Sequence, residues 1–90
     1  MPATIFLPAI LARLADRRQL EVAGDTVGAL VADVAARFPE LGSRLRDPNG
    51  EPYPYVTFYL NDEDIRFHGG FTAAVRDGDE LTVVPAIAGG

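Results

Sequence analysis

One amphipathic helix dominates this sequence and limits the folds open to it. Val27, Leu30, Val31, Val34 and Phe38 recur at i, i+3, i+4, i+7 and i+11, a single apolar stripe. Ala29, Ala32, Asp33, Ala36 and Arg37 leave the opposite face small or charged. Asp25 or Thr26 can accept the orphan backbone N–H groups at its start. Arg37 suits the negative end of the helix dipole, and Pro39 stops the helix. With 90 residues the chain forms one domain around a single modest core. The stripe must therefore cover one face of whatever the remaining residues build.

What remains reads mostly as strands. Ala3 to Pro8 is a short β-branched and aromatic run, the first strand. Ala9 to Arg18 predicts a loop with a short turn of helix near Leu11 to Leu14. Gln19 to Ala23 alternates apolar with polar, a second strand antiparallel to the first and broken by Gly24. Beyond the helix, Leu41 to Leu45 predicts a brief helical turn, and Arg46 to Pro54, with its Asp-Pro-Asn-Gly and two further prolines, a loop. Tyr55 to Leu60 is a third strand, Asn61 to Asp64 a turn, and Ile65-Arg66-Phe67 a short fourth strand. Gly69-Gly70 and Arg76 to Glu80 mark further turns, and Leu81 to Val84 is the last strand. Strands flanking one helix in this order predict an α+β, ubiquitin-like β-grasp fold. A mixed sheet of about five strands packs on one main helix, with the first and last strands parallel at its centre.

Composition removes several function classes. A net charge of −5 argues against nucleic acid, whose binding needs basic residues to neutralise phosphates, and favours a partner with a basic docking face. All eight positive charges are arginine. No apolar stretch approaches a membrane span and no signal peptide precedes the first strand, so the expected location is cytoplasmic. Cysteine is absent, which excludes a disulfide framework, a thiolate nucleophile and a cysteine metal site. Asp62-Glu63-Asp64 and Asp77-Gly78-Asp79-Glu80 miss the calcium-loop spacing, because Arg66 takes the fifth position of the first and the spaced glutamate is missing. They read as turns. His68 has no serine or cysteine nucleophile near it in sequence, so no catalytic residue and no metal site is expected.

Pro85 lacks an N–H and cannot extend the last strand's ladder in the usual way. The chain then predicts a domain over 1–85 and a flexible tail over 86–90 ending in Gly89-Gly90. Five residues past the proline reach roughly 15 Å at about 3.3 Å each, enough to thread a narrow channel. Two glycines place no Cβ near the carboxyl group of Gly90, so a partner's backbone can close around it. If Val56, Phe58 and Leu60 face the helix, then Thr57 and Tyr59 face outward, with Phe6, Thr82 and Val84 beside them. An exposed patch of this kind would be a docking surface. Phe6, Tyr59, Val84, Pro85 and Ile87 are the expected partner-docking residues.

Asp77-Gly78-Asp79-Glu80-Leu81, an apolar strand, a proline and a terminal Gly89-Gly90 resemble the ubiquitin-like sulfur carriers, the ThiS/MoaD family, over essentially the whole chain. Asn61 to Phe67, Gly69-Gly70 and Val84 to Gly90 are most similar to its CysO-type branch, which serves cysteine biosynthesis. The resemblance implies a protein co-substrate, not an enzyme, that binds no cofactor itself. An ATP-dependent adenylyltransferase related to ubiquitin-activating enzymes would adenylate the Gly90 carboxylate, and a sulfur source would convert it to a thiocarboxylate. In that branch the acceptor is a pyridoxal-phosphate-dependent, cysteine-synthase-like enzyme, and a metal-dependent peptidase releases the product. Similar carriers serve thiamin, molybdopterin and specialised metabolites, so the pathway stays open at this point. The carrier is expected to be monomeric when free, and a ubiquitin-like protein modifier and a non-covalent β-grasp adaptor are the competing functions.

Overall fold

The computed structural model describes residues 2–85. Strands β1 (Ala3–Phe6) and β2 (Gln19–Val22) form an antiparallel pair, joined through the single-turn helix α1 (Ala9–Ala12). The main helix α2 (Val27–Arg37) follows, then the short α3 (Pro39–Gly42) and strands β3 (Val56–Leu60), β4 (Glu63–Asp64) and β5 (Glu80–Pro85). The sheet order is β2-β1-β5-β3-β4, with β1 parallel to β5 and the other pairs antiparallel. The first and last strands thus lie side by side at the centre, as the β-grasp reading requires.

The helical stripe sits where its period predicts. Val27, Leu30, Val31 and Val34 are 0% exposed, and Phe38 packs against the same core. Burying each such side chain stabilises the fold by about 1.5–3 kcal/mol, which is what holds α2 to the sheet. Of the two candidate caps, Thr26 does the capping: its Oγ1 accepts the Ala29 N–H at 3.1 Å. Pro39 ends α2 and opens α3, whose Gly42 lies directly against Ala35 with no room for a Cβ. Leu41 and Leu45, the expected anchors of this turn, are fully buried. A strap at residues 73–75 crosses the start of α2, where the Val27 N–H donates to the Ala73 carbonyl at 3.0 Å.

Three expectations change. The fourth strand is not Ile65-Arg66-Phe67 but Glu63–Asp64; residues 65–67 form a 3-10 helix instead. Asn61 and Asp62, at φ +50° and +73°, close a two-residue hairpin turn, so the chain re-enters the sheet two residues earlier than a four-residue turn allows. Asp64 then ends the strand, its Oδ1 accepting the Arg66 N–H at 2.9 Å. Tyr55 stands before β3 and is exposed. Pro85 belongs to β5, opposite Val56, because this pair asks nothing of the missing N–H. The Val56 N–H itself turns to the Tyr53 carbonyl, at 3.3 Å. The tail expected over 86–90, including Ile87, Gly89 and Gly90, lies outside the described residues.

Candidate functional site

Strand alternation sorts the side chains of the sheet into two faces. Ala3, Ile5, Leu20, Val22, Phe58, Leu81 and Val83 point to the helix side and are all buried. No strand residue of the opposite parity is buried among those described. One face therefore carries the core and the other is left to solvent or to a partner. The parity expected for β3 holds, with Phe58 2% exposed and Val56 and Leu60 packed against the core.

The outer face brings three of the expected docking residues together. Phe6 on β1 lies opposite Thr82 on β5, and Thr82 lies opposite Tyr59 on β3. Two residue pairs further along, on the same face, Thr57 lies opposite Val84. Phe6, Tyr59 and Val84 thus surround the last turn of the pleat before β5 ends. Val84 is 39% exposed, whereas Phe6 and Tyr59 are half-buried. Directly opposed side chains on adjacent strands are close enough to cover each other's flanks, so the patch is less open than alternation alone suggests.

Pro85 is not part of this patch. By parity it follows Leu81 and Val83 onto the helix side, where it borders a groove with Ile10, Leu11, Arg44, Tyr53, Tyr55 and Val56. The sequence reading missed that groove. Its residues come from three separated segments and show no common spacing. The one available signal was Tyr53 and Tyr55 interleaved with prolines in a stretch too polar and broken to be core.

The opposite end of the sheet is acidic and structurally occupied. Asp64 grips Arg66 through two contacts at 3.1 Å and one at 2.6 Å. Hydrogen bonds from the Arg66 side chain and backbone hold the Asp64 carboxyl below its ordinary range. Asp79 accepts the Arg76 N–H at 2.9 Å, which lowers its carboxyl likewise. Gly78 at φ +85° lets that turn close before β5. His68 is exposed, with Nε2 3.1 Å from the Glu63 carboxylate. No group of three or more histidine, aspartate or glutamate residues is placed to hold a metal ion among the described residues. No described helix is long and apolar enough to cross a membrane.

The apolar outer patch thus lies where β5 ends, and the carboxylate turns lie where it begins. Several known proteins resemble this chain. The sulfur carrier protein CysO of Mycobacterium tuberculosis is 40% identical over 93 residues, covering 100% of both chains. Its crystal structure superposes with a TM-score of 0.86 over 94% of this chain and 99% of that one, at 38% identity. The Amycolatopsis orientalis BexX/CysO complex includes a chain with a TM-score of 0.89 and 38% identity, matched over 98% of this chain and 99% of that one. The ThiS family model matches residues 5–90, and the chain belongs to the ThiS family.

Proposed function

We propose that this chain is a sulfur carrier whose Gly90 carboxyl group is activated, converted to a thiocarboxylate and spent as a sulfur donor. The observation that carries the reading is full-length identity of 40% to a sulfur carrier protein, within a family match that runs through Gly89 and Gly90. A carboxylate with a pKa near 3.5 is an anion at neutral pH and a poor electrophile. Attack of its oxygen on the α-phosphorus of ATP releases pyrophosphate and leaves an acyl adenylate. A sulfur nucleophile then attacks the Gly90 carbonyl carbon, AMP departs with the C–O bond electrons, and a thiocarboxylate remains. Its sulfur displaces a leaving group from an activated carbon on an acceptor enzyme.

The carrier supplies docking and reach, not catalysis. Phe6, Tyr59 and Val84 form the surface for the adenylating enzyme, and Pro85 and Ile87 lead Gly90 toward its ATP. The relative crystallised as a BexX/CysO complex supports a carrier that works by binding partner proteins. Similarity to CysO makes cysteine biosynthesis the destination we favour, with a pyridoxal-phosphate-dependent synthase as acceptor and a metal-dependent peptidase to release the product. ATP is consumed on the partner, and the carrier holds no cofactor.

Intact-mass analysis with fragmentation tests the reading, using the chain incubated with ATP, sulfide and the host's adenylyltransferase. One oxygen-to-sulfur exchange localised to Gly90 is expected, and deletion of Gly89-Gly90 abolishes it while leaving the melting temperature unchanged. Localisation matters because Met1 sulfoxide adds nearly the same mass. An unmodified carboxylate under these conditions refutes the carrier role, and isopeptide-linked conjugates in cell extract would reassign the chain as a protein modifier.

A further inference from the structure

The end of β5 that leads into the tail differs from the rest of the molecule in charge and in apolar exposure. Ile10 is 65% exposed and Tyr55 67%, and they flank a groove of about 210 Å3 that Pro85 and Arg44 also border. The Arg44 guanidinium has no hydrogen-bond or ion-pair partner among the described residues. Arg13, Arg17 and Arg18 lie in the connection that returns the chain to Gln19, opposite Phe6, at this same end of the sheet. Asp16 is the sole carboxylate in that connection, against its three guanidiniums. At the other end, Asn61 to Asp64 and Arg76 to Glu80 hold six carboxylates against Arg76 and the Arg66 that Asp64 binds. A chain of net charge −5 is thus basic where its tail begins.

Length supplies the second constraint. Five residues beyond Pro85 reach only roughly 15 Å. An enzyme that brings Gly90 to ATP must therefore press the mouth of its tail channel against the end of β5. The outer patch of Phe6, Tyr59 and Val84 meets that mouth on one side of the strand. On the other side stand Ile10, Tyr55 and Arg44. Resting on the carrier reading above, we propose that this rim docks on an acidic lip of the adenylating enzyme's tail channel. A carboxylate of the lip pairs with Arg44, and an aliphatic or aromatic side chain of the lip seats between Ile10 and Tyr55.

The test is ATP–pyrophosphate exchange by the host's adenylyltransferase at varied carrier concentration, with Arg44→Glu, Tyr55→Ala and, as a control, Phe67→Ala. All three positions are exposed, so thermal melts should match the unsubstituted chain. Arg44→Glu and Tyr55→Ala are each expected to raise KM about tenfold with kcat nearly unchanged, as loss of an interfacial anchor does. Salt should weaken the unsubstituted carrier and have little effect on Arg44→Glu. Phe67→Ala, 78% exposed but on the β4 side of the sheet, should leave KM unmoved. Exchange by the unsubstituted chain with KM unmoved in both rim variants overturns the rim proposal alone. No exchange with the unsubstituted chain removes the carrier reading and the rim with it. Self-association that depends on Arg44, seen by sedimentation, would assign the rim to a second copy and also overturn the proposal.

Discussion

Val83 and Val84 are neighbours on β5 with opposite duties, and an isosteric change at each separates fold from docking. Val→Thr exchanges one methyl for a hydroxyl while keeping β-branching and strand propensity, so it opens no cavity. Val83 is 2% exposed among Ile5, Leu81 and Phe58, where the described residues leave no polar side chain buried. A hydroxyl there loses water and finds the neighbouring backbone already paired, at a cost of about 1–3 kcal/mol. In a chain of this size, 1 kcal/mol shifts the melting temperature by about 4–8 °C, so Val83→Thr should melt roughly 10 °C lower. Val84 is 39% exposed, and its hydroxyl keeps access to water, so Val84→Thr should stay within about 0.5 kcal/mol of the unsubstituted chain. Thermal melts followed by circular dichroism, paired with KM in pyrophosphate exchange, read both effects. Val84→Thr is expected to raise KM at constant stability. Equal losses of stability at the two positions, or none at Val83, would mean the strand's parity is displaced by one residue. The outer patch would then not exist.

Two further outcomes follow from local geometry. Gly42→Ala drives a methyl into Ala35 where α3 crosses α2, and should cost about 1–3 kcal/mol in urea denaturation, since neither backbone can retreat without uncovering Leu41; no loss would show that α3 is free to shift. Asp64 and Asp79 have carboxyls lowered from 3.8 by hydrogen bonds to Arg66 and to the Arg76 N–H respectively. The stability they supply is complete above that value and drains as pH falls through their folded-state pKa, so Asp64→Asn should lower the urea midpoint slightly at neutral pH, as an exposed pair allows, and the difference should close as pH falls below 3.8.

What could be read from the sequence depended on how many residues repeated each signal. The stripe from Val27 to Phe38 spans three turns, and alternation in β3 and β5 spans five or six residues. Each pattern is redundant, and helix, strand parity and outer patch all emerged from it. β4 is two residues long and has no period to detect. Its position follows from Asn61 and Asp62 accepting left-handed backbone angles, a turn that Asn-Gly would have announced and Asn-Asp does not. Pro85 illustrates a sound premise with a wrong consequence. The missing N–H forbids only those ladder positions that need it, and which positions need it is fixed by pairing with β3. That placement turns Pro85 from the patch to the groove, where Ile10, Arg44 and Tyr55 meet only because α1, the segment after α3 and the approach to β3 converge there. On the carrier reading proposed above, recognition at the base of the delivered residues would draw on all sides of one strand end, and one-dimensional spacing shows only the side that alternates.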